Sequence, residues 1–180
     1  MPRVMADDDP FAAVVGSHHA EIRRYLLRIT ARVSDADDLS QETFLRAFRA
    51  HRSLPAGANV RAWLFAIATN LCRNHFRAQT RRRRAYAAAA LDRSETDPGW
   101  PEGEAVAGET RARIEGVVAG LPIKQRLAFI MRKLHDLDYT TIGGSLDCSE
   151  ESARAHVFQA LRKIRRGLDG LILAKTESQP

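Results

Sequence analysis

The residues of this 180-residue chain best suited to nucleophilic, acid–base or metal chemistry are six histidines and two cysteines. His18, His19, His51, His75, His135 and His156 are scattered, and neither a nucleophile–base pair nor a Gly-rich phosphate loop accompanies them. Cys72 and His75 stand three apart on one helical pattern, a spacing two metal ligands can use, but no further ligand pair lies near them. Core packing is the better reading of Cys72, because free cysteine is among the most buried residue types. Two cysteines this far apart make no disulfide framework and suit a reducing compartment. A redox role for Cys148 stays open. The chain therefore reads as a binding protein with no cofactor or metal, not an enzyme.

Its abundant chemistry is cationic. The formal charge is +6 and the isoelectric point near 9.9, which favours a polyanionic partner. Residues 61–84, RAWLFAIATNLCRNHFRAQTRRRR, hold no acidic residue and end in four arginines. Trp63, Leu64, Ile67, Ala68, Leu71 and His75 recur at three- and four-residue spacing, so one face is built to be buried. Arg73, Asn74, Arg77 and Arg81 to Arg84 collect toward the other face and the C-terminal end, where the macrodipole favours cations. On this segment alone, a solvated basic face and a polyanion-binding face remain equal readings.

A second cationic helix follows a turn. Residues 138–166 pattern as a short helix with Tyr139, Ile142 and Leu146 inward, then a longer one with Ala153, Val157, Ala160, Leu161, Ile164 and Leu168 inward. Ser149 suits the N-cap of the second helix, and Glu150 and Glu151 suit its first turn. Two short helices joined this tightly form the geometry that presents the second to a DNA major groove. Ser152, Arg154, Ala155, His156, Gln159 and Arg162 face outward, types that reach base edges and phosphates. A plain helical hairpin with a basic face is the competing reading.

The elements that position these residues are helical throughout, with no period-two alternation. Asp9-Pro10 looks like a helix start, with a helical period through Val33 that Gly16 interrupts or not. Ser34 to Asp37 offer an acidic capping box for the next helix. Pro55 and Gly57 mark a loop, and Asn59 can cap the arginine-ended helix. After Arg84 the composition turns acidic and rich in Pro and Gly, with Asp92, Glu95, Asp97, Glu102, Glu104 and Glu109 against Arg93. That is a linker composition, with Trp100 as its one large anomaly. Helical patterning resumes near Thr110, with Leu127, Ile130, Met131 and Leu134 on one face, and a polar tail after Leu173 frays. The expected fold is all-α: two small helical domains, residues 10–85 and 110–172, joined by a flexible acidic linker over 86–109, the second containing a helix-turn-helix. The N-terminus carries no apolar signal segment and no apolar run spans a bilayer, so a cytoplasmic location is expected.

Between the first helix and the loop, DADDLSQETFLRAFRA places Asp38, Gln41, Glu42 and Leu45 at i, i+3, i+4 and i+7, one stripe usable for docking another helix. This segment resembles the D-A-E-D-L-x-Q-E-T-F-L-like motif of bacterial sigma factors of the extracytoplasmic-function (ECF) group. The resemblance runs on in order. RAWLFAIATNLCRNHFR is similar to the group's R-A-W-L-x-x-I-A-x-N segment, LPIKQRLAFIMRKLHDLDYTTIG to its L-P-x-x-Q-R approach to the second domain, and SEESARAHVFQALRKIR to its recognition helix.

The resemblance implies a dissociable initiation subunit of bacterial RNA polymerase. Asp38, Gln41, Glu42, Leu45 and Arg46 would dock on the clamp helices of the largest core subunit. The loop from His51 to Asn59 would hold an unstacked base of the −10 element, with Asn59, Arg61, Asn70, Arg73 and Arg77 as contacts to that DNA. Ser152, Arg154, Ala155, His156, Gln159 and Arg162 would read the −35 element as duplex, and the linker would thread toward the RNA path. Partners are core polymerase, promoter DNA and an anti-sigma protein, without membrane insertion. Cations without acidic neighbours on 61–84 then have a purpose, holding phosphates where duplex becomes single strand. The chain departs from the pattern at Gly143, where alanine is usual and glycine should cost up to about 1 kcal/mol of helix stability. It departs again at Asp147, which replaces a turn glycine and tolerates the left-handed conformation. Asn74, Ala153, His156 and Leu161 differ as well. The alternative function is a sigma-like regulator or mimic that binds DNA or an anti-sigma protein without initiating.

Overall fold

A computed structural model describes residues 10–89 and 114–177, with side chains over 10–86 and 114–168. Six helices, α1 Pro10–Thr30, α2 Val33–Ala50, α3 Val60–Ala89, α5 Ile123–Leu134, α6 Tyr139–Leu146 and α7 Glu150–Glu177, are joined by a short helical segment α4 over 114–119. A 3-10 turn, His51–Ser53, follows α2. No strand occurs among the described residues. Residues 90–113, with Trp100 and most of the expected linker, lie outside them, as does Asp9.

Pro10 opens α1, as its fixed φ and missing N–H favour, and the helix passes through the exposed Gly16 unbroken. It stops at Thr30, whose hydroxyl donates to the Leu26 carbonyl, and Ala31 takes a left-handed φ of 58°. That reversal is so abrupt that α2 begins at Val33. Ser34, expected as a cap, instead sits exposed inside the first turn, and the N-cap is Arg32 with no side-chain hydrogen bond. Asn59 does cap α3: its Oδ1 accepts from the Ala62 N–H at 3.0 Å. The 30 residues of α3 span about 45 Å, and the helix continues four residues past 85 before the described segment ends. Only its first half is buried, through Leu64, Phe65, Ala68, Thr69, Leu71 and Cys72.

In the second half Asp138 caps α6, accepting from the Thr141 N–H at 2.7 Å and from its hydroxyl at 3.0 Å. Asp147 adopts the left-handed φ of 56° that the turn needs. The Cys148 N–H donates to the Gly143 carbonyl, and a Cβ on Gly143 would lie 2.8 Å from the Cys148 carbonyl oxygen. Glycine here is thus required by a close backbone approach, not a weakness relative to alanine. Ser149 caps α7 through the Ser152 N–H at 3.1 Å. α7 continues to Glu177, so the segment after Leu173 is helical where fraying was expected. Two expected core positions are exposed: Leu134, 46%, in the last turn of α5, and Leu161, 40%, which lies off the buried stripe of Ala153, Val157, Ala160 and Ile164.

The two halves pack on each other around one continuous core. α3 lies against α6 and α1 against α5. Tyr25, Phe65, Ile22, Leu26 and Ile29 are essentially inaccessible, and each stabilises the packed state by about 1.5–3 kcal/mol. The Tyr25 hydroxyl shares a 2.8 Å hydrogen bond with Thr69, whose hydroxyl also reaches the Met131 sulfur at 3.8 Å across the seam. Burial pushes the Tyr25 phenol well above its ordinary pKa, so it stays neutral. The Arg126 guanidinium sits over the Phe76 ring and donates to the Ala119 and Leu121 carbonyls and, at 3.2 Å, to that of Ile29.

Candidate nucleic-acid and protein-docking surfaces

α2 buries Ala36, Leu39, Thr43, Phe44 and Ala47 against α1 and α3. That packing turns the opposite stripe outward: Asp38 and Gln41 are exposed, Leu45 is 42% exposed, and Glu42 is half-buried. Arg46 donates to Glu42 at 2.6 Å within the same stripe. All five predicted docking residues are therefore on one surface. Phe48, one turn further, is 48% exposed and extends that surface with an aromatic ring. It stacks on His51 at 5.6 Å and meets Phe11 edge-on at 5.4 Å. Its spacing of four from Phe44 reads as core, which hid it.

On α3, Asn70 and Arg77 are exposed and Arg73 half-buried. Arg73 donates to the side-chain Oδ1 of Asn70 at 3.4 Å. Arg73 and Arg77, with Asn74, Arg81 and Arg84 of α3 and Lys124 of α5, border an open groove of about 610 Å³. Asn59 is exposed, with its oxygen engaged in the helix cap. Arg61 is elsewhere. It shares a stripe with Phe65, Thr69 and Cys72, and its guanidinium pairs with Glu21 at 2.5 Å and donates to the His135 carbonyl at 2.6 Å. The structure thus separates Arg61 from Asn70, Arg73 and Arg77, with which it was expected to act. Cys72 is fully buried as expected, its thiol pushed up to about 12 by desolvation. His75, expected to pack as an apolar residue, is half-buried and lies 3.5 Å from Asp35 of α2.

On α7 the predicted base-reading residues divide between two faces. Ser152, Ala155, Gln159 and Arg162, at i, i+3, i+7 and i+10, share one exposed face. Gln159 accepts at Oε1 from Gln125 Nε2 of α5 at 2.7 Å. His156 is half-buried at the edge of that face, and desolvation, then the Lys124 charge, hold its pKa below the ordinary value. Arg154 lies on a neighbouring stripe with Phe158, 66% exposed, and Leu161. It is held by Glu150 at 2.8 Å and sits over the Tyr139 ring, 4.4 Å from its centroid. No described helix is long and apolar enough to cross a membrane.

Comparison with known proteins agrees with this arrangement. The Sigma-70 region 2 family matches residues 14–82, and Sigma-70 region 4 matches residues 111–164. The chain is 27% identical over 173 residues to an ECF RNA polymerase sigma-E factor of Haemophilus influenzae, covering 92% of this chain and 91% of that one. It is 28% identical over 162 residues to the ECF RNA polymerase sigma-E factor of Escherichia coli, covering 83% and 85%. In fold it is similar to the sigma factor RpoE solved with the anti-sigma factor NepR from Bartonella quintana, with a TM-score of 0.65, 21% identity, and 88% and 96% of the two chains covered. The same TM-score, 0.65, relates it to CnrH solved with the cytosolic domain of CnrY, at 19% identity and 89% and 88% coverage.

Proposed function

The chain belongs to the sigma-70 family, in its ECF group, and on that premise we propose how its surfaces divide the work of an alternative sigma factor. As such it binds core bacterial RNA polymerase and directs promoter recognition and initiation, with nucleotide addition left to the core enzyme. Residues 10–85 form the unit that docks and opens the −10 element, 110–172 the unit that reads the −35 element, and 86–109 connect them. Asp38, Gln41, Glu42, Leu45 and Arg46 engage the clamp helices of the largest polymerase subunit, with Phe48 at the margin of the contact. Asn70, Arg73 and Arg77 hold the strand, and Ser152, Ala155, His156, Gln159 and Arg162 face the −35 duplex. Arg154, already paired to Glu150, serves the edge of that contact.

The observation that carries this reading is the division of outward side chains. An acidic–apolar stripe on α2 suits a protein helix, while the exposed faces of α3 and α7 carry the cations and amides that suit phosphates and base edges. A mimic that binds only protein has no use for the cationic end of α3. A location in the cytoplasm, no catalytic activity of its own, and an anti-sigma protein as a further partner complete the reading.

Run-off transcription from promoter-containing genomic fragments, using sigma-free core polymerase, tests it. Defined 5′ ends appear only when the protein is added. Gln41→Ala with Glu42→Ala removes them and weakens core binding at least tenfold. Because both side chains are on the surface, thermal stability shifts by less than about 0.5 kcal/mol. Unchanged core affinity in that variant overturns the docking assignment, and absence of transcripts with active core overturns initiation.

A further inference from the structure

Glu21 of α1, Arg61 of α3 and His135, just past α5, meet at the seam between the halves. His135 Nδ1 lies 3.1 Å from Glu21 Oε1, and Arg61 binds both Glu21 oxygens and, at 2.6 Å, the His135 carbonyl. The His135 ring is socketed edge-on between Tyr25 at 5.5 Å and Phe65 at 5.1 Å, and is only 8% exposed. Its Nε2 is buried without a hydrogen-bond partner. A segment of the second half thus fills a socket built by the first, with one unsatisfied polar atom that makes the fit releasable.

Packed this way the chain is too small for its task. A compact chain of 180 residues has a radius of gyration of roughly 16 Å, about 40 Å across. The −10 and −35 elements are separated by about 25 base pairs, or about 85 Å at 3.4 Å per step. Both reading faces are on one core here, so contact with both elements requires the halves to part. Parting also releases Arg61, the one expected −10 contact held in the seam.

We propose that Glu21, Arg61 and His135 form a release latch that keeps the free chain closed and frees Arg61 for DNA when polymerase draws the halves apart. This rests on the sigma-factor reading for its purpose, but not for its physical test. Closure withholds the binding-competent form, so the apparent affinity for core polymerase falls by the fraction of chain that is open.

Acid weakens the latch. The groups facing His135 are Glu21 and Arg28 from α1, Arg61 from α3, the neutral Tyr25, and its own neighbour Asp136. Desolvation holds the His135 pKa below its ordinary value despite Glu21, so the open form takes up a proton more readily. Closure is therefore fully favoured above about pH 6.5 and weakens below it. Glu21, held down to about 2 chiefly by the Arg61 hydrogen bond, acts in the same direction at lower pH.

Small-angle scattering of the free full-length chain at pH 7.5 and 5.5 tests the latch without polymerase or promoter. Wild type is expected to have a radius of gyration near 16–20 Å at pH 7.5, approximate for a chain closed but for its linker, and to expand at pH 5.5. His135→Ala and the milder Glu21→Gln are expected to be expanded already at pH 7.5, with unchanged helical circular dichroism, and to bind core polymerase several-fold more tightly. Unchanged dimensions in Glu21→Gln and across the pH change overturn the latch while leaving the sigma-factor reading intact. Should His135→Ala unfold, Glu21→Gln and the wild-type pH response still decide.

Discussion

Gln125 of α5 donates its side-chain amide to Oε1 of Gln159 on α7 at 2.7 Å, tying the entry helix of the second half to the exposed face of α7. With that oxygen engaged, the Gln159 NH₂ group is the one left for a partner, a donor suited to the N7, O6 or O4 acceptors of the major groove. Gln125→Leu keeps the volume and removes the tie. The expected result is a loss of discrimination at one −35 base pair of roughly 1 kcal/mol, about fivefold. Competition binding with duplexes substituted at single positions measures it, and affinity for unrelated DNA is the control.

Two adjacent glycines in α6 are expected to respond oppositely to alanine. At Gly143 a Cβ meets the Cys148 carbonyl at 2.8 Å, with backbone on both sides of the contact, so Gly143→Ala costs about 1–3 kcal/mol. At the exposed Gly144 a Cβ meets nothing within 4 Å, and Gly144→Ala stabilises by up to about 1 kcal/mol. Thermal melts separate them, at about 2–4 °C per kcal/mol for a chain of this size.

Arg77 is exposed and Arg73 half-buried on the wall of an open groove, where a strand can reach them in the packed chain. Each single-strand phosphate they neutralise contributes about 0.7 to the slope of log affinity against log salt. Arg73→Ala with Arg77→Ala is therefore expected to lower the holoenzyme's slope on −10 strand DNA by about 1.4. An unaltered slope places the strand on another face of α3.

Much of this molecule was legible in order of sequence distance. The caps at Asn59 and Ser149 and the left-handed turn at Asp147 depend on atoms a few residues apart, and they stand as read. The outward stripe from Asp38 to Arg46 stands too, because helical period alone sorts its residues from Leu39, Thr43 and Ala47. Ser34 failed as a cap for a reason just outside its window: the left-handed Ala31 started the helix two residues earlier, with Arg32 at the N-cap. Leu161 and Leu134 were misjudged because hydrophobicity says that a residue can be buried, and only the neighbouring helix decides which stripe is.

The amino-acid sequence by itself determined the helices, the outward acidic–apolar stripe of α2, the cationic ends and the family to which they belong. All of these follow from local propensity, helical period and motif spacing. Tertiary structure alone decided that Arg61 faces the seam, that Gln125 orients Gln159, and that His135 closes a socket with Glu21 from 114 residues away. Those outcomes depend on which helix faces meet, and no local pattern encodes the pairing of side chains so far apart in the chain.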